Sequence, residues 1–246
     1  MRKYMNSGRL LLALLAFTIL IFAACGKDTY YQDGGKENAK FDGSILQYLE
    51  SNPRYFDTLV TVIKLAGMEK EFNNDQFTFF APVDNSFRGL IKTLNTVLYA
   101  TGKDTVVNLN DIPDAIWQKY VSVYMFKGLK KVNDYPQIDL NARGLYPGQN
   151  YKSLGDVVFN IGAIYDNAGN VSGTGSENSQ GVKYAGYRHL CISFIPNTAD
   201  PLANWNTVLV SSSDIQPNNG VVHVLKASHT FSFDATNFIQ DVLLSR

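Results

Sequence analysis

The sequence predicts an α+β domain with its helices first and its strands after. Three observations carry this. Between Ser44 and Tyr124 the apolar residues recur at helical spacing. After Met125 that spacing gives way to short β-like runs separated by Gly, Asn and Pro. Inside the helical half, Thr78–Phe87 (TFFAPVDNSF) packs a strand-to-helix corner into one short stretch.

The elements follow in order. Ser44 caps a short helix carrying Ile45, Leu46, Tyr48 and Leu49. Asn52-Pro53 starts the next, with Asn as cap and Pro at the first helical position. Phe56, Leu59, Val60, Ile63 and Leu65 share its buried side, and Gly67 stops it. Met68–Phe72 adds a further turn. Thr78-Phe79-Phe80 then reads as a buried strand, because aromatic and β-branched side chains suit a pleated, covered surface. Pro82 ends it, having no N–H for a ladder. Asp84 is expected to cap the following helix, with Phe87 on its first turn pointing back at the strand. That helix carries Leu90, Ile91, Leu94, Val97 and Leu98, and Thr101–Asp104 turns the chain. Asp111-Ile112-Pro113 opens another helix bearing Ile116, Trp117, Tyr120, Val121 and Tyr124.

In the second half, β-runs are expected at Val157–Ile161, Leu190–Phe194, Thr207–Ser212 and Gly220–Leu225. Leu190, Ile192 and Phe194 alternate onto one face of the second run. Asp166–Gly181 is rich in Gly, Ser and Asn and reads as a mobile loop. Asp234–Leu244 closes the chain as a helix, with Phe238 and Val242 inward. No internal repeat is visible, so one domain over 41–246 is expected.

The N-terminus carries an address. Arg2, Lys3 and Arg9 precede an apolar run, Leu10–Phe22, broken only by Thr18. The run is short for a membrane span and right for a signal-peptide core. Phe22-Ala23-Ala24-Cys25 resembles the lipobox of bacterial lipoproteins, with Phe22 in place of the usual Leu. The resemblance implies a signal peptide over 1–24, acylation (palmitate among the chains) at Cys25, and a polar tether over 25–40. Two or more acyl chains hold a protein on a membrane where one does not. Gly26 after the cysteine fits outer-membrane retention, on either the periplasmic or the cell-surface face. Cys191, the other of the two cysteines, then has no disulfide partner and reads as a small buried apolar residue.

The 246 residues carry 22 basic and 22 acidic side chains, and loss of 1–24 removes three of the basic ones and no acid. No basic field is available to hold a nucleic acid. No nucleophile elbow, phosphate loop or dinucleotide fingerprint occurs. Among three histidines, His223 lies between Val222 and Val224 and reads as a core residue hydrogen-bonded within the fold. His229 is six positions on, about 20 Å away along an extended strand, too far to share a metal. No cofactor, no metal and no catalytic residue is expected.

Two blocks resemble one family. Thr78-Phe79-Phe80-Ala81-Pro82-Val83-Asp84-Asn85-Ser86-Phe87 is similar to the first signature of fasciclin domains, with Val83 and Ser86 in place of a usual Thr and Ala. Asn219-Gly220-Val221-Val222-His223-Val224-Leu225 resembles the second. The resemblance spans about Ser44 to Ser232. It implies a short-stranded β-sandwich or wedge with a layer of N-terminal helices, and adhesion or ligand binding in place of catalysis. It makes Thr78, Phe80, Ala81, Pro82, Asp84, Phe87, Asn219, Gly220 and His223 structural. The Tyr-His pair of animal members has no local counterpart, since Tyr124-Met125-Phe126 lacks a His. The spacing between signatures is long for the family, which places insertions at Leu140–Tyr151, Asp166–Gly181 and Pro196–Trp205. Insertions sit on surfaces and often carry function. Tyr146, Tyr151, Tyr184, Tyr187 and Trp205 are therefore the candidate binding surface for a glycan, matrix or protein partner, because such side chains offer area at low entropic cost. An accessory capture or assembly subunit of an outer-membrane complex is the alternative.

Overall fold

A computed structural model describes residues 39–167 and 183–246. The expected signal peptide, Cys25, most of the expected tether and most of Asp166–Gly181, expected to be a loop, lie outside the described residues.

The helical half follows local chemistry closely. Helix α1, Ile45–Glu50, opens on a capping box: Ser44 Oγ accepts the Gln47 N–H and Gln47 Oε1 accepts the Ser44 N–H at 2.8 Å. Helix α2, Pro53–Leu65, has Pro at its start, but Asn52 makes no side-chain cap. Its amide instead donates to the Tyr48 carbonyl, spending it on the end of α1. Gly67 ends α2 at φ +67, a left-handed conformation in which a Cβ is strained, and the Met68 N–H closes back on the Ile63 carbonyl. Helix α3, Glu69–Asn74, leads into strand β1, Phe77–Ala81, every residue of which is buried.

Helix α4, Asp84–Ala100, begins one residue earlier than the expected cap requires. Val83 is its N-cap, and Asp84 is already helical. The Asp84 carboxylate therefore points away from its own first turn and accepts the Thr58 N–H of α2 at 2.9 Å, with Leu59 at 3.4 Å. It ties two helices instead of capping one. Phe87 finds its ring partners away from β1, stacking on Phe231 at 4.3 Å and tilting against Trp117. A 3-10 turn, Leu109–Asp111, precedes helix α5, Asp114–Ser122, and Tyr124 lies beyond its end. The last helix, α6, spans Ala235–Leu244, is capped by Asp234, and buries Phe238, Ile239 and Val242.

Among the described residues, seven strands form one hydrogen-bonded series in the order β2-β1-β7-β6-β5-β4-β3. The others are β2 (Met125–Lys127), β3 (Gln149–Lys152), β4 (Val158–Tyr165), β5 (Arg188–Phe194), β6 (Asn206–Ile215) and β7 (Gly220–Leu225). Strands β2 and β3 are not visible as runs in the sequence: the first is three residues long and the second (QNYK) lacks apolar alternation. The two motif strands are neighbours, β1 parallel to β7 with Thr78 opposite Val221 and Phe80 opposite His223. Both being covered on each face, they read as continuous apolar runs.

Strand β6 decides the shape. Residues Asn206–Leu209 pair with β5 and Val210–Ile215 pair with β7, with register shifts along the second part and Asp214 at φ 62. Such irregularities bend a strand and raise its twist. The two halves of the series consequently face each other across one core. Phe126 of β2 meets Phe159 of β4 at 5.7 Å, and Phe159 meets Phe233 at 4.8 Å. The Leu154 N–H, just beyond β3, donates to Met125 of β2 at 2.8 Å, so the series nearly closes into a barrel.

Candidate functional site

The residues of the two sequence motifs lie inside this frame. Thr78 Oγ1 donates to the Gly128 carbonyl and accepts the Lys130 N–H, fastening β1 to the chain beyond β2. Phe80 sits 5.0 Å from the His223 ring, and Ala81 and Pro82 are buried. Asn219 Oδ1 accepts the Ile45 N–H at 2.8 Å, while Nδ2 donates to the Phe72 and Asp75 carbonyls. One side chain thus joins β7 to the start of α1 and the end of α3. A Cβ at Gly220 would stand 2.4 Å from Ile45 Cδ1 and 2.8 Å from the Phe77 carbonyl oxygen, so α1 and β1 close on that position.

His223 is fully buried. Its Nε2 donates to the Lys130 carbonyl at 2.9 Å and its Nδ1 accepts the Asp214 N–H at 3.3 Å, an arrangement that uses the neutral ring. Burial lowers its pKa to about 4, against the opposing pull of the Lys130 hydrogen bond and the Asp214 carboxylate. His229 is also buried, and desolvation lowers its pKa to about 3. It meets Tyr124: the Ser232 N–H donates to the Tyr124 hydroxyl, which donates in turn to His229 Nε2 at 2.7 Å. Burial raises the Tyr124 pKa well above the phenol range, so this hydroxyl keeps its proton. Tyr124 and His229, 105 positions apart in the chain, are held together by this hydrogen bond. Cys191 is buried, and desolvation pushes its thiol up to about 12, an environment that suppresses thiolate chemistry. Among the described residues, no group of three or more His, Cys, Asp or Glu side chains is placed to hold a metal, and no helix is long and apolar enough to cross a membrane.

The open chemistry lies on the outer face of β3–β6. Asn150, Asn160, Ser193 and Thr207 form one cross-strand row there, with Gly162, Cys191 and Leu209 in the next. The first row is knit by Asn160 Nδ2 to Asn150 Oδ1 at 2.9 Å and by Ser193 to Thr207 at 2.8 Å. The second is covered by the stretch after β2. Ile138 lies over Gly162, where a Cβ would come within 2.6 Å of it. This cover explains why the middle of β5 is buried on both faces, where alternation predicts one. From Ile138 the chain makes an excursion and returns at Pro147, closed by the Asp139 N–H on the Tyr146 carbonyl.

A hollow opens on each side of this excursion. One, of about 380 Å³, runs between Asp139, Ile164, Tyr184, His189 and Leu209. The other, of about 460 Å³, lies between Arg143, Gly148, Asn150, Asn160, Leu202 and Trp205. The Leu140–Tyr151 and Pro196–Trp205 segments thus meet on one face. Tyr184 packs edge-on against Tyr146 at 4.9 Å and donates to Asp139 Oδ2 at 2.9 Å, clipping the excursion to the segment before β5. The Asn141 N–H and this hydroxyl hold the Asp139 carboxyl below the usual carboxylate range. Tyr187 is 73% exposed and stacks on His189, whose Nδ1 is 3.6 Å from Asp166. Trp205 sits under the Arg143 guanidinium at 4.5 Å and donates its indole N–H to the Pro201 carbonyl. Tyr151 is the exception. It is on the core side of β3, edge-on to Tyr135 at 5.4 Å, and does not share the face of the other four.

Sequence reasoning did not single out Arg143, Asn160, Asn150 or Asp139. The one available signal was Asn160 itself, a polar residue inside the run Val157–Ile161.

Residues 54–127 match the family model of the fasciclin domain. The match takes in α2 through β2, hence the first motif, and stops short of the fasciclin-like Asn219–Leu225 strand. No curated protein matches the chain. Among solved structures, a domain pair from the insect cell adhesion molecule Fasciclin I is similar at 15% identity and a TM-score of 0.43, covering 74% of this chain and 49% of that one. The chain therefore spans about half the length of that fasciclin structure.

Proposed function

We propose that the whole described domain is a fasciclin-type binding module, and that the chain is a lipid-anchored lipoprotein held through acylated Cys25 on the outer membrane. In this reading it has no catalytic activity. It mediates adhesion by recognising a glycan, matrix or protein partner through the face where Leu140–Tyr151 meets Pro196–Trp205. The observation that carries the reading is the hollow between those segments, where a cation with no ion pair or hydrogen bond among the described residues stands over an aromatic plane. Concave sites with a few convergent polar groups are where ligands are usually held.

A deletion strain should lose adhesion to a glycan- or matrix-coated surface and regain it with the wild-type chain. A Cys25→Ser chain should neither incorporate labelled palmitate nor restore adhesion. Unchanged adhesion on deletion counts against the reading. The assembly-subunit alternative draws on Leu145, Tyr187 and Leu202, all strongly exposed on or beside the same face. Recovery of a stoichiometric membrane partner with the acylated chain favours that alternative.

A further inference from the structure

The hollow beside Trp205 holds two groups whose bonding capacity the fold leaves unused. Arg143 is half-buried, and among the described residues its guanidinium has neither an ion pair nor a hydrogen bond, only the stacking contact with the indole. Asn160, 4% exposed, spends its amide hydrogens on the Pro147 carbonyl and Asn150 Oδ1, while its own Oδ1 is buried with no donor. A buried polar atom without a partner costs about 1–3 kcal/mol and calls for an explanation. That oxygen lies under Gly148, at φ +66, where a Cβ would stand 2.4 Å from it. Any side chain at 148 would close the approach to the floor of the hollow. Among the described residues no carboxylate lines the site, and none of them answers the charge of Arg143 within it.

We infer that this hollow binds a carboxylate-bearing saccharide, such as a uronic acid unit of a glycan. The inference rests on the reading that this face binds a partner and names its chemical class. A guanidinium stacked on an indole is fixed in orientation and keeps its N–H edges free, the geometry that receives a carboxylate in two parallel hydrogen bonds. Among the described residues the lining holds one Arg, no second cation and no helix N-terminus, which matches a single negative charge better than a phosphate. Leu202 and the part of the Trp205 indole that Arg143 leaves uncovered supply an apolar wall for the C–H face of a sugar ring. The amides of Gln149 and Asn150 stand at the rim to exchange hydrogen bonds with ring hydroxyls. A volume of about 460 Å³ is in the range of small-ligand sites.

The test uses the full-length chain in detergent and an array of oligogalacturonates and oligoglucuronates printed beside their methyl esters and neutral hexose counterparts, followed by titration calorimetry with the best acidic oligomer. Binding of the acidic oligomers is expected, at least tenfold tighter than of the esters. Arg143→Gln should lose about 10–100-fold toward the acid and leave the weak ester binding unchanged, as expected for a charge-assisted pair. Trp205→Ala should weaken both. Arg143→Gln disturbs only the indole contact and keeps the test alive should Trp205→Ala fail to fold. Equal affinity for acid and ester overturns the acidic class while leaving a binding face in place. Equal binding of an oligoglutamate peptide overturns the saccharide. No binding of any acidic oligomer overturns the inference, whereas unchanged adhesion on deletion of the chain bears on the broader reading alone.

Discussion

Lowering the pH from 7 to 5 should cost this fold about 3–4 kcal/mol, and two histidines account for it. His223 and His229 are buried as neutral rings, with pKa values lowered to about 4 and about 3 from the usual 6.5. A base whose folded pKa is depressed contributes its full stability above the unfolded value. It loses that stability as pH falls from about 6.5 toward the folded value, because the unfolded chain takes the proton and the native chain does not. At pH 5 each ring is charged in the unfolded chain and neutral in the fold, a cost of about 2 kcal/mol per histidine relative to pH 7. The geometry explains why neither can simply accept the proton. His223 Nδ1 already accepts the Asp214 N–H, and His229 Nε2 already accepts the Tyr124 hydroxyl, so protonation sets a donor against a donor. The Asp214 carboxylate, 3.9 Å from His223, offsets only part of the burial. Urea denaturation at pH 7, 6 and 5 reads the effect, with a slope approaching two protons near pH 5. His223→Gln and His229→Gln should each remove about half of that slope. Stability that stays level from pH 7 to 5, or a slope that both variants leave intact, would refute the reasoning.

Other outcomes follow from the same structure. Asn219→Ala removes three hydrogen bonds at once and orphans the buried Ile45 N–H, so it should destabilise by about 2–4 kcal/mol and lower the melting midpoint by about 5–15 °C. A loss under about 1 kcal/mol in thermal melts would show that the junction is not held there. In a Cys25→Ser chain, Cys191 should resist a water-soluble disulfide reagent at pH 8 and react fully in urea, since it is buried with its thiol pushed up to about 12. Rapid labelling of the native chain would contradict that placement.

Much of the architecture is legible from local pattern. The capping box at Ser44, the stop at Gly67, the buried run before Pro82 and the covered β-run at Gly220–Leu225 each depend on residues a few positions apart. Helical and strand periodicities report the core side wherever one face is covered. The pattern fails where the cover comes from elsewhere. Cys191 pairs with Gly162 and is buried where Ile138 folds over that face, which nothing in β5 itself announces. Asp84 has the side chain of a cap, but the backbone entering α4 gives that position to Val83 and turns the carboxylate to α2.

The site divides the same way. Aromatic residues in or near the loop-rich half drew attention to Tyr146, Tyr184, Tyr187 and Trp205, and the structure places them on one face. Tyr151 was indistinguishable from them in sequence, because one strand position decides which side of β3 it occupies. Arg143 was one basic residue among many until Trp205 was found beneath it.

The sequence by itself determined the order of the helices and of the five longer strands, the cap at Ser44, the breaks at Gly67 and Pro82, and the apolar character of the two motif strands β1 and β7, because these depend on neighbours within one or two turns. Only the tertiary structure decided that those strands lie parallel and adjacent, that Tyr124 meets His229, and that Arg143, Asn160 and Trp205 line one hollow. Those contacts join distant parts of the chain. They depend on the bend in β6 and the path of one excursion over the sheet, and no local pattern encodes either.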